Sequence, residues 1–273
     1  MAPISGKKNL QGKVFAVTGA SEGIGRALCL QLAREKTRLV LAARNQERLQ
    51  SLHDDVVSLG SEALAVPTDV TREKDCEALI QKTIERFGRL DVLVNNAGGT
   101  MWAPFEELQS LDLFENLMRQ NYLSCVYCTY HALPHLKASR GLIVAVSSLA
   151  GLTGVPCRTA YAATKHALFG FFDSLRIELI GTGVDITLIT PDFVKTEIHR
   201  RAIGHDGTPL GKSPMQEDKI MTAEVCAAHI VKAIRARKRL SIPSRRGKLI
   251  RWARLLIPGW VDRKAAQAIR ERK

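Results

Sequence analysis

The residues of this sequence best suited to proton transfer are a tyrosine and a lysine four positions apart, Tyr161 and Lys165. Positions i and i+4 of a helix lie one turn apart on the same face. An ammonium group beside a phenol stabilises the phenolate, which lowers the phenol pKa from about 10. The pair could therefore act as a general acid and base near neutral pH. On spacing alone, a solvated surface pair is the commoner arrangement.

A pair of serines could complete such a site. Ser147 and Ser148 directly follow residues 142–146, an apolar run with the length of a buried strand. Ligands of doubly wound sheets bind at the carboxyl ends of the strands. We therefore expect Ser148 to meet Tyr161 over the oxygen of a substrate.

Three glycines separate the first apolar run from the first helical pattern. Glycine lets bare backbone and free N–H groups approach a phosphate, and a helix that begins there adds its positive end. A strand before and a helix after are the context that a dinucleotide-binding turn requires. Glycines also occur in plain turns, but this segment predicts a pyrophosphate site at Gly19, Ser21, Glu22, Gly23, Ile24 and Gly25.

The ends of the next two apolar runs bear on the choice of cofactor. Arg44 follows the second run, where an acidic residue would bind the ribose 2′-hydroxyl of NAD and an arginine would accommodate the 2′-phosphate of NADP. This favours NADP(H) over NAD(H), unless Arg44 is only a solvated residue that opens a helix. Asp69 and Val70 follow the third run. Asp69 could accept a hydrogen bond from an adenine amino group or cap the next helix, and both interpretations stay open.

Short apolar runs alternate with helical patterns along the whole chain. This alternation predicts an α/β fold, a Rossmann-type doubly wound parallel sheet, in a single domain over residues 1–244. Asn45 and Thr71 are the expected N-caps of the second and third helices. A last strand is expected near Leu240. The six expected buried strands are 14–17, 39–43, 63–66, 90–94, 142–146 and 184–189.

The charge of the chain is concentrated at one end. The 273 residues carry a formal net charge of +13, yet residues 232–273 hold 15 basic and two acidic residues. The rest has as many acids as bases, which argues against a specific nucleic-acid partner. The N-terminus has no signal-peptide pattern, so we expect a cytoplasmic protein. The Cys125-x-x-Cys128 pair lies within an apolar helical pattern and is expected to be structural.

Taken together, these residues resemble the classical short-chain dehydrogenases/reductases. The resemblance covers about residues 10–240 and depends on several motifs in the family's order. Ser148 also lies 13 residues before Tyr161, as in that family. The matching segments are T-G-A-S-E-G-I-G at 18–25, Asp69, N-N-A-G at 95–98, Asn121, Ser148, Y-A-A-T-K at 161–165 and P-D-F-V-K-T at 191–196.

The resemblance implies a role for each matching residue. Tyr161 would exchange a proton with the substrate oxygen that Ser148 holds, and Lys165 would bind the nicotinamide ribose and lower the pKa of Tyr161. Asn121 would hold a water that links Lys165 to solvent. No metal takes part. The cofactor ribose would lie along Asn96, Ala97 and Gly98, and the carboxamide would be held by Val194 and Thr196.

The chain departs from the family pattern at three points. Asp192 follows Pro191 where the family usually has glycine, which could alter the lid or add a polar group near the nicotinamide. Glu22 stands where NADP-dependent members often have a basic residue, so it argues mildly against NADP. A basic extension, residues 245–273, follows the expected last strand.

Two segments bear on the substrate. Residues 193–220 should form a lid whose cations, among them His199, Arg200 and Arg201, either face solvent on a flexible loop or meet an anionic substrate. Residues 247–260 predict one basic amphipathic helix, which would lie on an anionic membrane surface or pack on the substrate mouth or another subunit. Its apolar stripe is Leu249, Trp252, Ala253, Leu256, Ile257 and Trp260.

The sequence therefore predicts an NADP(H)-dependent oxidoreductase that transfers a hydride between the nicotinamide and a carbonyl or secondary alcohol of a lipophilic substrate. An NAD-dependent hydroxysteroid or secondary-alcohol dehydrogenase is the alternative within enzymes. A non-catalytic nucleotide-binding or membrane-docked module is the alternative of another class. The resemblance also implies a homodimer or homotetramer, and the extension allows a peripheral membrane location.

Overall fold

The computed structural model describes residues 9–270, with side chains to residue 267. The N-terminal segment without a signal-peptide pattern and the last basic residues of the tail lie outside this range.

Seven parallel strands form one sheet in the order β3-β2-β1-β4-β5-β6-β9. The predicted fold is thus confirmed. The strands are β1 Val14–Thr18, β2 Arg38–Ala43, β3 Glu62–Pro67, β4 Val92–Asn95, β5 Leu142–Val146, β6 Asp185–Ile189 and β9 Leu240–Ser241.

Helices cover both faces of this sheet. A second, two-stranded sheet pairs β7 Val194–Lys195 with β8 Met221–Thr222. The helices are α1 Gly23–Arg34, α2 Gln46–Ser58, α3 Glu73–Phe87, α4 Asp112–Met118, α5 Ser124–Ser139, α6 Thr159–Glu178, α7 Ala223–Arg235, α8 Arg245–Leu256 and α9 Pro258–Arg270.

The two largest hydrophobic clusters of the described residues lie on opposite faces of the main sheet. Side chains alternate between the faces of a strand, so Phe15 and Val17 of β1 pack with α1, α2 and α7, whereas Val14 and Ala16 pack with α3, α5 and α6. Every residue of β1 is therefore buried. This explains why the strands appear in the sequence as continuous apolar runs.

One of the two predicted N-caps is confirmed. The Asn45 side chain accepts a hydrogen bond from the Arg48 amide at 2.8 Å at the start of α2. The prediction for Thr71 is wrong, because α3 begins at Glu73 after Arg72. The Thr71 hydroxyl instead donates to the Asp69 carboxylate in the preceding turn.

The cysteines of the C-x-x-C pair are buried on α5 and are free thiols. Burial raises the pKa of Cys125 to about 11. The thiolate needed for redox chemistry is therefore scarce at neutral pH, which agrees with the structural interpretation.

The prediction of a single helix over residues 247–260 is wrong. The chain leaves α8 at Ile257, whose backbone is not helical (φ −139°, ψ 58°), and Pro258 begins α9. A proline disfavours helical backbone at the residue before it and is well placed at the first position of a helix. Of the predicted stripe only Ala253 is buried. No helix in the described range combines the length and apolar composition needed to cross a membrane.

Candidate active site

A cavity of about 940 Å³ lies at the carboxyl ends of the parallel strands. Strands β2 and β4 flank β1 and are reached by connections on opposite faces, so this is the topological switch point where doubly wound sheets bind ligands. Of the site residues predicted from the sequence, only Gly25 and Asn121 do not line it. Those that do are Gly19, Ser21, Glu22, Gly23, Ile24, Arg44, Asp69, Val70, Asn96, Ala97, Gly98, Ser148, Tyr161, Lys165, Val194 and Thr196.

The glycine turn leaves no room for side chains. Gly19 has a φ of +63°, and a Cβ on it would lie 2.8 Å from the Ala97 Cα. A Cβ on Gly25 would lie 2.1 Å from the Gly19 carbonyl oxygen, so Gly25 lets α1 pack against the turn from behind the cavity wall. The turn is thus a bare backbone cradle that ends at the start of a helix, as the pyrophosphate of a dinucleotide requires.

Hydrogen bonds join this turn to the loop after β4. The Asn96 side-chain amide donates to the carbonyl oxygens of Thr18 (3.0 Å) and Gly19 (3.1 Å). In return, the Thr18 hydroxyl accepts hydrogen bonds from the backbone amides of Asn96 and Ala97. The loop predicted to line the cofactor ribose is therefore held in register with the phosphate-binding turn.

Tyr161 and Lys165 lie in the first two turns of α6 and are both buried at the cavity wall. The Lys165 Nζ is 5.6 Å from the centre of the Tyr161 ring and donates to the Val146 carbonyl at 3.0 Å. An ammonium has three N–H donors, and the described part of the chain accounts for one of them. The others suit a ribose hydroxyl or the phenol oxygen.

The two serines after β5 have different surroundings. The Ser147 hydroxyl is buried and donates to the Lys165 carbonyl at 3.2 Å, which ties β5 to α6. The Ser148 hydroxyl accepts from the Ala150 amide at 3.2 Å and lines the cavity together with Tyr161. A hydroxyl that accepts one hydrogen bond still has its own hydrogen to donate to a substrate oxygen.

Asn121 lies in a single π-helical turn, Arg119–Leu123, between α4 and α5. Such turns occur frequently at functional sites. Its side chain accepts from the Gly99 amide (2.7 Å) and donates to the Gly99 carbonyl and the Thr164 hydroxyl (both 3.0 Å). It therefore joins the ribose loop to α6, and its part in a water relay stays a prediction.

Arg158, which the sequence analysis did not single out, is buried beside Tyr161. Its guanidinium lies 5.0, 5.6 and 5.2 Å from the ring centres of Trp102, Tyr161 and Phe193, and it lines the cavity. The only feature of the local sequence that could have indicated this placement is that Arg158 lies three residues before Tyr161. The other two rings, Trp102 and Phe193, come from distant segments.

The residues expected to distinguish the cofactors form a charged group at one end of the cavity. The Glu22 carboxylate accepts from Arg48 at 2.6 Å and also pairs with Arg201 of the lid. Arg44 is exposed at the cavity wall and forms no ion pair with an acidic side chain in residues 9–267. Two guanidinium groups therefore offset the negative charge of Glu22. The positive charge of Arg44 has no such acidic partner in residues 9–267 and faces the cavity.

Asp69 lies in the turn between β3 and α3. Its carboxylate accepts from both the amide (3.1 Å) and the hydroxyl (2.8 Å) of Thr71, so it stabilises a turn before α3 rather than the helix start itself. It also lines the cavity beside Val70. Contact with an adenine therefore stays open, and the helix-cap interpretation is replaced by a turn.

Three cations of the predicted lid, Lys195, Arg200 and Arg201, pair with acids. Arg200 lies 3.7 Å from Glu197 and 3.9 Å from Glu217, and Lys195 lies 3.7 Å from Glu217. His199 does not face solvent, because it is buried and its Nε2 lies 3.0 Å from the Val194 carbonyl oxygen. It lines the cavity, so contact with an anionic substrate stays a prediction.

The extension covers one side of the substrate end of the cavity. Asp192, at the usual glycine position, pairs with Arg246 of α8. Apolar side chains of both terminal helices reach the cavity, namely Leu249, Ile250, Trp260 and Val261. The sequence analysis included this possibility among several for the extension.

Comparison with known proteins agrees with this geometry. The chain is 37% identical over 231 residues to an 11-beta-hydroxysteroid dehydrogenase of Pinus massoniana, covering 82% of this chain and 65% of that protein. It is 39% identical over 228 residues to the 11-beta-hydroxysteroid dehydrogenase-like 4A of Arabidopsis thaliana, covering 83% of this chain and 73% of that protein. The chain thus spans slightly less than two thirds of the Pinus protein and about three quarters of the Arabidopsis protein.

Solved structures of dehydrogenases also resemble this chain. A short chain dehydrogenase/reductase from Burkholderia phymatum in complex with NAD superposes with a TM-score of 0.81 at 25% identity, covering 90% of this chain and 94% of that one. An alcohol dehydrogenase from Thermococcus sibiricus complexed with 5-hydroxy-NADP has a TM-score of 0.72 at 28% identity, covering 85% and 95%. The short chain dehydrogenase profile matches residues 13–205. The chain is therefore a member of the short-chain dehydrogenase/reductase family of oxidoreductases.

Proposed function

We propose that this protein is an NADP(H)-dependent oxidoreductase that interconverts a carbonyl and a secondary alcohol on a lipophilic substrate. One observation carries the proposal. A single cavity joins Tyr161, Lys165 and Ser148 to the glycine turn at one end and to apolar side chains of α8 and α9 at the other. A dinucleotide in the cradle and an apolar molecule at the mouth would meet at Tyr161.

The residues of the chain can perform the proton chemistry. A nicotinamide dinucleotide, when bound, supplies or accepts the hydride. The Tyr161 hydroxyl gives a proton to the substrate oxygen during reduction and takes it back during oxidation. The Ser148 hydroxyl holds that oxygen by a hydrogen bond, and the Lys165 ammonium orients the ribose.

The preference for NADP(H) is supported by the charges near the glycine turn. A 2′-phosphate would meet the guanidinium of Arg44, which can bind it through two parallel hydrogen bonds. Glu22 would oppose that phosphate if its charge were exposed alone. Arg48 and Arg201 both pair with Glu22, and this removes most of the objection that its sequence position raised.

NAD-dependent oxidation of a hydroxysteroid or another secondary alcohol is the second candidate. Two observations favour it. Glu22 is an acidic residue in the glycine turn, and the relatives are named as hydroxysteroid dehydrogenases. Both candidates use the same proton chemistry. They differ in the cofactor and in the direction that it would drive in a cell.

Fluorescence titration with NADPH and NADH separates the two candidates. We expect NADPH to bind wild type about tenfold more tightly, and Arg44→Ala to remove most of that difference of about 1.4 kcal/mol. Lys82→Ala, an exposed cation on α3, is the control and should keep the preference. Equal or tighter binding of NADH would instead support the NAD-dependent dehydrogenase.

Tyr161→Phe separates an enzyme from a nucleotide-binding module. The variant removes only the hydroxyl, so we expect turnover of a lipophilic ketone to fall by at least ~100-fold, a typical contribution of general acid catalysis, with unchanged NADPH binding. Equal turnover by both proteins would exclude this chemistry.

We also propose, from the family resemblance, that the protein is a homodimer or homotetramer in the cytoplasm. Light scattering of the purified chain tests the mass of the oligomer.

A further inference from the structure

Large apolar side chains are concentrated on the outer surface of the two terminal helices. Thirteen such side chains are exposed in the part of the chain with described side chains, and six of them lie between residues 249 and 260. Monomeric soluble proteins rarely expose large contiguous apolar patches without a binding role. We call this group the apolar ridge, and it consists of Leu249, Trp252, Leu255, Leu256, Ile257 and Trp260.

Basic side chains accompany the apolar ridge. Between residues 245 and 267 there is a single acid, Asp262. The Arg251 guanidinium lies 5.4 Å from the centre of the Trp252 ring. The exposed basic residues of this stretch, apart from Arg246 and Arg254, are Arg245, Lys248, Arg251, Arg263 and Lys264. The surface therefore combines a strong positive charge with tryptophan and leucine side chains.

The opposite side of α8 attaches to the body of the protein without using the ridge. Gly247 packs so closely that a Cβ on it would lie 2.6 Å from the Leu149 Cδ2. Arg254 donates to the Leu152 carbonyl, and Arg246 pairs with Asp192. Because these contacts hold the helix in place, the ridge is not needed for attachment.

The ridge is continuous with the mouth of the cavity. Leu249 and Trp260 belong to the ridge and also line the cavity, next to the buried Val261. Trp252, Leu255, Leu256 and Ile257 are exposed between them in the sequence and do not line the cavity. A surface that bound the ridge would thus lie at the entrance to the cavity.

We propose that the apolar ridge binds the surface of an anionic lipid bilayer and places the cavity mouth against the lipid. Trp and Leu side chains enter the interface between headgroups and acyl chains, while Lys and Arg side chains are attracted to anionic headgroups. The charge complementarity favours this partner over a second copy of the chain, whose ridge carries the same positive charge. Entry of a lipophilic substrate from the bilayer rests in addition on the proposed function.

Sedimentation of the full chain with vesicles tests this proposal. The vesicles contain phosphatidylcholine with about a quarter phosphatidylglycerol, or phosphatidylcholine alone. We expect binding to the anionic vesicles to be at least ~10-fold tighter and to weaken with salt, because the charged component is screened. Equal binding to both vesicle types, or no binding to either, would overturn the proposal.

Two double variants, each with a matched control, locate the binding surface. Trp252→Ser/Leu256→Ser removes apolar side chains that do not line the cavity, and Lys248→Glu/Arg251→Glu reverses two charges. Each is expected to weaken anionic vesicle binding at least ~10-fold. The matched controls are Val57→Ser/Leu111→Ser and Lys82→Glu/Lys137→Glu, which change exposed residues elsewhere on the surface. Controls that lose as much binding as the ridge variants would overturn the assignment.

Further measurements separate this proposal from its rivals. Turnover of a water-soluble ketone should stay unchanged in the ridge variants, which shows that they fold. Tyr161→Phe should bind vesicles like wild type, so loss of the proposed enzymatic function would leave the lipid result standing. If Trp252→Ser/Leu256→Ser instead lowers the mass measured by light scattering and leaves vesicle binding unchanged, the ridge joins copies of the chain and the proposal is wrong.

Discussion

The carboxylate of Asp192 accepts two hydrogen bonds from the guanidinium of Arg246, from Nη2 at 2.5 Å and from Nε at 2.9 Å. The Asp192 side chain is only 15% exposed, and the Ser244 hydroxyl lies 3.4 Å from it. Asp192 directly follows Pro191 in the loop after β6, so the pair connects the cofactor side of the cavity to the first turn of α8. The acidic residue at the usual glycine position thus holds the extension in place.

We expect Arg246→Ala to weaken substrate binding more than turnover. Loss of a two-point ion pair with an exposed arginine costs about 1 kcal/mol, which would allow α8 to move from the mouth of the cavity. The KM for a bulky lipophilic ketone should rise about fivefold, and kcat should change little. Steady-state kinetics at saturating cofactor measure this.

Arg245→Ala is the matched control, because Arg245 is adjacent, exposed and makes no ion pair within the described residues. It should leave KM unchanged. The double variant Asp192→Ala/Arg246→Ala should be no worse than either single variant if the two residues act as a pair. Additive losses would contradict the role given to this contact.

Asn121→Ala should lower the stability of the fold. The substitution leaves the partly buried amide and carbonyl of Gly99 without their side-chain partner, and each such group costs about 1–3 kcal/mol when no water replaces it. We expect the free energy of unfolding to fall by about 3 kcal/mol, measured by denaturant titration. Asn116→Ala, on the neighbouring α4, is exposed and should change it little; an equal loss there would refute the clamp assigned to Asn121.

Asp91 should make part of the stability dependent on pH. Burial raises the pKa of this carboxyl, but hydrogen bonds from Arg89, the Val14 amide and Lys13 outweigh burial and lower the pKa below its usual value. The stabilisation is therefore present above the unfolded-state pKa near 3.8 and is lost as the pH falls through the lower pKa of the folded state.

We expect Asp91→Asn to lose about 2 kcal/mol of stability at pH 7, with a smaller deficit below about pH 4. Denaturant titrations across this range measure it. Asp173→Asn, a partly exposed carboxylate paired with Arg176, should lose only about 0.5 kcal/mol. A deficit for Asp91→Asn that stays constant down to pH 2 would contradict the assigned pKa direction.

Two glycines should respond in opposite directions to the same substitution. Gly25→Ala places a Cβ against the Gly19 carbonyl, so we expect lower stability and at least ~10-fold weaker cofactor binding through the displaced turn. Gly170→Ala lies within α6 with open space around the new Cβ, and it should stabilise the fold by about 0.5–1 kcal/mol. Thermal melts and cofactor titration measure both, and similar effects at the two positions would argue against the close packing at Gly25.

Features that depend on neighbouring residues could be predicted from the sequence alone. The buried strands, the glycine turn, the Asn45 cap and the i, i+4 pair of Tyr161 and Lys165 all follow from spacing along a few residues. The break between α8 and α9 was also local, since Pro258 disfavours a helical Ile257, but the apolar stripe through residues 249–260 obscured it.

Tertiary structure alone decided the contacts between distant segments. Glu22 meets Arg48 across 26 positions and Arg201 across 179, and Asp192 meets Arg246 across 54. Arg158 is buried where Trp102 and Phe193, two rings from distant segments, meet beside its near neighbour Tyr161. Local periodicity determined the helices and strands and the reactive side chains that they present. The reason is that backbone preferences and side-chain directions depend on residues within one or two helical turns. Which charges are neutralised, and which apolar side chains remain exposed, depended on how those elements pack.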